Sequence, residues 1–241
     1  ELSYVRLEYA SKALHVGDET EHNQGNKNSG TLTVTHVEIV EAEVRTGGYD
    51  TTARLVLSDT HILSATVVGE YPRSEPIDIY NALIVNSVIH SDSYNKGVAL
   101  YNSEVYSTPL YMGCCGANIR LEGSEVYDSS VQEGDGSPVT GPLVVIASQL
   151  CNTPVELPSA QVSVLSSTVN YSGSLGLRFG NGQIANSSVI GNDTGVGVEI
   201  TGYAGYNIGG SVTISHTLIQ RNAVGVRFTG ANFTNLTHNN I

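Results

Sequence analysis

The amino-acid sequence predicts an all-β solenoid, in which short strands stack coil upon coil. Val, Ile, Thr and Tyr are plentiful and few segments show helical periodicity, which favours strands separated by turn residues. The letters SEVY occur at Ser103–Tyr106 and again, 21 residues later, at Ser124–Tyr127. Similar segments recur along the chain at intervals of roughly 20 residues, a period that is typical of solenoids.

The repeated segments set a register for the predicted coils. We expect the last apolar residue of each segment to point inward and the residue before it to point outward. The segments are 3–7, 35–39, 58–62, 101–105, 122–126, 146–150, 165–169, 185–189 and 214–218, with a further copy at 236–241. The outward column then reads Arg6, Glu38, His61, Glu104, Glu125, Gln149, Thr168, Ser188 and Thr217. Between residues 77 and 90 both Ile84 and Ile89 fit, so the register there stays open.

A second row of strands has the form Gly-h-x-h, where h is apolar. It occurs at Gly97–Leu100, Gly176–Phe179, Gly197–Ile200 and Gly225–Phe228. The outward residues of the last three are Arg178, Glu199 and Arg227. This order predicts a ladder of alternating charges, which we interpret as structural.

With its apolar rows and Asn-bearing turns, the chain resembles the right-handed parallel β-helices of the pectate-lyase-like superfamily. The resemblance covers nearly the whole chain and implies a right-handed parallel β-helix of about ten coils, with residues 1–241 as a single domain. A β-sandwich would need hairpin turns, and Asn-Gly occurs only once, at Asn181-Gly182. Neither end shows a capping helix, so we expect a longer chain, adjacent domains or end-to-end self-association.

Composition excludes several partners. The net charge is −12 and the chain has three lysines, which argues against nucleic acid and anionic membranes. No apolar run is long enough to span a bilayer, so we expect no membrane insertion. An extracellular or cell-surface location is expected, and N-glycosylation sequons begin at Asn170, Asn186, Asn192, Asn232 and Asn235.

The three cysteines are Cys114, Cys115 and Cys151. They form no C-x-x-C pair, so a zinc site is not expected. Three alternatives stay open: buried or idle thiols, a vicinal Cys114–Cys115 disulfide, or a disulfide from either to Cys151.

The SEVY repeat is the main candidate for a binding site. Alternation points Glu104, Tyr106, Glu125 and Tyr127 outward, and stacking brings the two coils about 4.8 Å apart. Because like charges directly opposite are destabilising, a bound Ca²⁺ or sugar would stabilise the pair. The alternative is that these are exposed glutamates beside a tyrosine packing ladder.

Three insertions supply further candidates. Asp18, Glu19 and Glu21 in one loop, and Glu133 and Asp135 in another, are oxygen donors that suit Ca²⁺, or else form solvated acidic loops. In a third loop, Tyr203 and Tyr206 among glycines suit a contact with glycan or protein, or pin the loop to the solenoid wall. A fourth insertion covers residues 69–76.

The superfamily that the chain resembles includes polysaccharide lyases and glycoside hydrolases. The sequence lacks the Gly-His-Gly and Arg-x-Lys segments of the hydrolases, and its acidic middle third offers only Lys96 and Arg120 as the cationic residues that a lyase needs. Glu104 and Glu125 would match the carboxylate spacing of a retaining glycosidase, but nothing nearby would set their pKa values apart. We therefore expect a non-catalytic module for polysaccharide binding or adhesion, with Ca²⁺ as a possible cofactor. A lyase or hydrolase, and a structural spacer or self-assembling segment, are the alternatives.

Overall fold

The computed structural model describes residues 2–11, 13–17, 29–47, 52–69, 76–92, 97–113, 116–134, 139–191, 193–201, 211–229 and 233–241. Within these ranges the regular elements are all β-strands, without any helix. The strands are β1 (Leu2–Ser3), β2 (Arg6–Glu8), β3 (Leu14–Gly17), β4 (Ser29–Thr35), β5 (Glu38–Val40), β6 (Glu43–Gly47), β7 (Thr52–Ser58), β8 (His61–Leu63), β9 (Thr66–Gly69), β10 (Ile77–Tyr80), β11 (Leu83–Val85), β12 (Val88–Ser91), β13 (Val98–Tyr101), β14 (Glu104–Tyr106), β15 (Pro109–Met112), β16 (Ile119–Glu122), β17 (Glu125–Tyr127), β18 (Ser130–Glu133), β19 (Pro142–Ile146), β20 (Gln149–Cys151), β21 (Val155–Leu165), β22 (Thr168–Asn170), β23 (Leu175–Ala185), β24 (Ser188–Ile190), β25 (Val196–Thr201), β26 (Ser211–Ser215), β27 (Leu218–Gln220), β28 (Val224–Thr229) and β29 (Phe233–Thr237).

These strands stack in parallel as a β-solenoid, which confirms the predicted fold class, with about eight turns in place of the predicted ten. Ten three-residue strands form the middle sheet, in the order β2-β5-β8-β11-β14-β17-β20-β22-β24-β27. The other 19 strands form one sheet with two rows, which we call the preceding and the following row because they flank each middle strand in sequence. β21 and β23, with 11 residues each, run through both rows. Handedness and superfamily stay predictions.

The middle strands are short because left-handed residues bend the chain at both ends. β14 lies between Asn102 and Ser107, which both have φ of +48°, and β11 lies between Asn81 and Asn86, at +52° and +48°. Asn tolerates this conformation because its short polar side chain bonds locally. Each strand therefore keeps one inward side chain, and these central residues are buried from Ile39 and Ile62 to Val189 and Ile219.

Buried hydroxyl groups connect the coils at the corner before the middle sheet. The Ser103 amide donates to Ser124 Oγ at 3.2 Å, and the Ser124 amide donates to Ser148 Oγ at 3.1 Å. Each hydroxyl in turn donates to a carbonyl two residues earlier, as Ser148 does to Ile146 O at 2.8 Å. Ser167 and Ser187 continue this series, which we call the first hydroxyl ladder.

A second hydroxyl ladder lies at the corner after the middle sheet. It consists of Ser87, Thr108, Ser129 and Thr153, each accepting a hydrogen bond from the backbone amide of the coil before. Buried amides without partners are costly, so the hydroxyls supply acceptors where the bend removes the ladder carbonyl. The Ser of each SEVY is thus a structural residue.

Two details of the predicted register are wrong, and one open choice is resolved. In the last repeat, Ile219 is the buried central residue and Leu218 occupies the outward column, because Thr217 is the buried corner hydroxyl. Gly97–Leu100 lies in the preceding row, whereas the other Gly-h-x-h segments lie in the following row. In the ambiguous segment, Ile84 is the central residue of β11 and Ile89 belongs to β12 in the following row.

The predicted charge ladder is confirmed. Arg178 pairs in register with Glu199, and Glu199 pairs with Arg227. Arg178 Nε lies 2.8 Å from Glu199 Oε2, and its Nη1 lies 3.2 Å from Glu156, which extends the ladder by one coil.

Each predicted insertion falls, along the chain, between a strand of the following row and the next strand of the preceding row. Most of their residues lie outside the described ranges, including 18–28, 70–75, 135–138 and 202–210. The helix-free chain that the structure describes also offers no helix long and apolar enough to cross a membrane.

Replacing a hydroxyl of the first ladder should destabilise the chain. Ser124→Ala removes the acceptor of the Ser103 amide and the donor to Leu100 O and Glu122 O. We expect the free energy of unfolding to fall by about 1–3 kcal/mol, measured by urea denaturation followed by circular dichroism. Ser211→Ala, at an exposed position, is the control and should change it by less than about 0.5 kcal/mol. Equal effects of the two changes would contradict the role of the ladder.

Candidate functional site

The candidate site is formed by β14 and β17, which carry the two copies of the repeated sequence. Their pairing is parallel and in register, with Glu104 opposite Glu125, Val105 opposite Val126 and Tyr106 opposite Tyr127. Both valines are fully buried. The geometry predicted for the SEVY pair is therefore confirmed, and we call the four outward residues the Glu–Tyr patch.

Within the patch, the tyrosines contact each other and their own glutamates. The Tyr106 and Tyr127 rings stack with centroids 4.8 Å apart and planes within 8° of parallel. The Tyr106 hydroxyl donates to Glu104 Oε2 at 3.1 Å, and the Tyr127 hydroxyl donates to Glu125 Oε2. Each strand thus presents a phenol–carboxylate pair, repeated on the next coil.

This arrangement determines which chemistry the patch offers to a ligand. The two rings stack face to face along the solenoid axis, so each covers one face of the other. A ligand approaching from outside meets ring edges, hydroxyls and carboxylate oxygens rather than an open aromatic face. Oε1 of each glutamate accepts no hydrogen bond from the residues that the structure describes.

The hydrogen bonds shift the tyrosine pKa values. Donation to Glu125 is the main cause that raises the pKa of Tyr127 to about 12, with desolvation and the charge of Glu125 adding to it. Donation to Glu104 similarly raises the pKa of Tyr106. The phenols therefore stay protonated near neutral pH, and they act as donors rather than bases.

The residues around the patch are apolar on one side and polar on the other. In the coil before β14, Leu83 and Val85 pair with Glu104 and Tyr106. In the coil after β17, Gln149 and Cys151 pair with Glu125 and Tyr127. Val40, Leu63 and Val85 continue the tyrosine column along the middle sheet, which forms a partly exposed apolar stripe.

A second tyrosine stack lies in the preceding row, and the sequence analysis did not predict it. Tyr80 and Tyr101, on β10 and β13, stack at 4.6 Å within 10° of parallel. Beside them, Arg54 pairs with the buried Asp78 at 2.6 Å. Tyr80 and Tyr101 each stand one residue before an Asn in the left-handed conformation, a position in the repeat that could have identified them.

Of the other acidic and tyrosine residues predicted as site residues, Glu133 lies among the described residues. Glu133, proposed as a calcium ligand, accepts hydrogen bonds from the Ser159 amide at 2.8 Å and from the Ser159 hydroxyl. This carboxylate ties the end of β18 to β21. Asp18, Glu19, Glu21, Asp135, Tyr203 and Tyr206 lie outside the described residues, so these proposals stay predictions.

Of the three cysteines, Cys151 lies among the described residues. Cys151 carries a free thiol on the outward side of β20, and burial raises its pKa. Cys114 and Cys115 lie outside the described residues, as does their proposed vicinal disulfide.

The described residues contain no group of three or more His, Cys, Asp or Glu side chains placed to hold a metal ion. Glu104 and Glu125 supply two carboxylates, whereas Ca²⁺ takes six to eight oxygen ligands. The calcium proposal therefore has no complete donor set in the part of the chain that is described.

Comparisons of this chain with protein-family models, with curated proteins and with solved structures find no match.

Glu125→Gln should bring the Tyr127 pKa down from about 12 towards its ordinary value of 10.0. The amide still accepts the hydrogen bond but carries no charge, so the neutral phenol loses part of its stabilisation. Titration of ring-labelled tyrosine by NMR measures this shift, with circular dichroism recording that the fold persists. Glu156→Gln, a change of the same kind on the following row, should leave Tyr127 as it is. A Tyr127 pKa that does not respond to Glu125→Gln would contradict the described contact.

Proposed function

We propose that this chain is a non-catalytic recognition or adhesion module that binds polysaccharide outside the cell. The single observation that carries this proposal is the Glu–Tyr patch, because it repeats hydrogen-bonding side chains and ring edges in register on adjacent coils. Sugars present hydroxyl groups, which suit the carboxylate oxygens and phenol hydroxyls of the patch, and apolar C–H groups, which suit an apolar surface. The apolar stripe next to the patch extends the same surface.

The arrangement supports binding over catalysis. A retaining or inverting glycosidase needs one carboxyl group kept protonated and another ionised. Glu104 and Glu125 each accept a hydrogen bond from the tyrosine two residues on. This repeated contact does not set one carboxyl group apart as an acid and the other as a nucleophile.

We also propose, from the repeat pattern, that the solenoid is right-handed and that the chain is a non-catalytic member of the pectate-lyase-like superfamily. Parallel crossover connections are right-handed in nearly all known cases, which supports the first part. The apolar rows and the Asn-bearing bends support the second.

One observation favours a different function, that of a structural spacer. The tyrosine rings cover each other, and the hydroxyl ladders run through much of the solenoid whether or not a site is present. Under this alternative the patch only packs the coils together.

Retention on a panel of insoluble polysaccharides tests the proposal. The unmodified chain should be retained on at least one glycan, and the double change Tyr106→Ala with Tyr127→Ala should weaken retention about tenfold, or about 1.4 kcal/mol. Removing both rings takes away the ring edges and the donors that orient the two carboxylates.

The control is Tyr4→Ala with Tyr9→Ala, which removes two tyrosines that are 82% and 71% exposed in the first coil. This control should bind as the unmodified chain does. An absence of retention on every glycan would refute the proposal and favour the spacer.

A further inference from the structure

We infer that the glycan bound at the Glu–Tyr patch is an amino sugar polymer, whose protonated amines lie against Glu104 and Glu125. This inference rests on the proposed function and specifies its ligand class. The recognised surface consists of the apolar stripe and the carboxylates of Glu104 and Glu125 along its edge.

The charge of the patch favours a cationic ligand. Arginine ion pairs are frequent elsewhere among the described residues, on Glu8, Glu38, Glu43, Asp78, Glu122, Glu156, Asp193 and Glu199. Among the residues that the structure describes, neither Glu104 nor Glu125 takes part in an ion pair. The two carboxylates stand opposite each other on adjacent strands, where like charges repel. An ammonium group between them would remove the repulsion and form charge-assisted hydrogen bonds.

The shape of the surface favours a single extended chain. Each middle strand has three residues, so it presents two outward side chains, about 7 Å apart along the strand. Left-handed residues bend the chain away on both sides, at Asn102 and Ser107 for β14. The result is a strip two side chains wide that runs along the solenoid axis, from Val40 past Tyr127.

An extended peptide fits this strip less well than a glycan does. The backbone groups of the middle strands already bond to the coils before and after, as Glu125 N does to Ser103 O. A peptide lying on the strip would therefore bury backbone amides without partners. A glycan has its polar groups at the edge of each ring and apolar C–H groups on its faces, so Val85 and the tyrosine edges can contact the faces while Glu104 and Glu125 bind the amines.

The same charges disfavour a uronate polymer. Its carboxylates would lie against Glu104 and Glu125, and the net charge of −12 adds to the repulsion. A neutral glycan is not repelled, but it leaves the two glutamates without a counter-charge. An amino sugar polymer thus relieves the repulsion between Glu104 and Glu125, whereas a neutral glycan leaves it unchanged and a uronate polymer increases it.

Three polymers coupled to beads provide the test: chitosan, with free amines on a glucosamine backbone; chitin, with the same backbone N-acetylated; and polygalacturonate. Binding is measured at a pH at which the amine of glucosamine is protonated. We expect retention on chitosan at least about tenfold stronger than on chitin, and none on polygalacturonate.

Because an acidic protein adsorbs to any polycation, the decisive comparison uses two double variants of equal charge. Glu104→Gln with Glu125→Gln changes the patch, and Glu43→Gln with Glu156→Gln changes two acids in the following row that pair with Arg45 and Arg178. The first should lower chitosan retention at least about tenfold, and the second should have little effect. Thermal melting of both verifies that each variant is folded.

The outcomes separate the inference from the proposed function. Equal loss in the two double variants, or none in either, means non-specific charge attraction and overturns the inference. Retention on chitin or polygalacturonate that equals or exceeds that on chitosan overturns the inference and leaves polysaccharide binding standing. No retention on any of the three polymers or on the wider glycan panel overturns both.

Discussion

The hydrogen bond between a backbone amide and a hydroxyl of the next coil is the interaction on which the structure most depends. A solenoid with three-residue strands must bend sharply at both ends of each strand, and a bend removes the regular carbonyl acceptor. At the corner before the middle sheet, Ser103, Ser124 and Ser148 replace it with side-chain oxygens that are themselves bonded to backbone carbonyls. These groups are buried, so the hydrogen bonds fix the position of each coil on the next.

This fixed register is also what creates the candidate site. Because Val105 stacks on Val126 in register, the side chains on either side of these valines stack as well. A one-residue slip would turn Glu104 and Tyr106 inward, where neither fits the apolar interior. Stacking places identical residues opposite each other. This stabilises the two tyrosine rings through their contact and destabilises the two glutamates through charge repulsion. The patch therefore combines a stabilising contact with a repulsion that a ligand can relieve.

Periodicity in the sequence was enough to predict the parallel solenoid and the outward direction of Glu104, Tyr106, Glu125 and Tyr127. It was also enough for the ladder of Arg178, Glu199 and Arg227. The prediction was wrong at Leu218 because two apolar residues stand together there, and only the buried corner hydroxyl of Thr217 tells which of them points inward. A repeat defined by its polar corner as well as its apolar centre would have placed Ile219 correctly.

Other features depend on contacts that no linear pattern contains. Glu133 was one of several candidate calcium ligands because it lies in an acidic loop, and its hydrogen bond to Ser159, 26 residues away, was not visible in that pattern. The Tyr80–Tyr101 stack was missed because the repeat was aligned on the middle strand, and these tyrosines belong to the preceding row. Direction and register follow from local spacing, whereas the partner of a polar side chain depends on how distant coils meet.

Regular stacking of the coils can be measured directly as distances between pairs of spin labels. Glu38 is separated from Gln149 by five register steps and from Ser188 by seven. Nitroxide labels on Glu38→Cys with Gln149→Cys, and on Glu38→Cys with Ser188→Cys, are compared after the native cysteines are replaced by serine. At about 4.8 Å per coil, the separations should be about 24 Å and about 34 Å. Distances that do not increase in this proportion would contradict the solenoid and the site built on it.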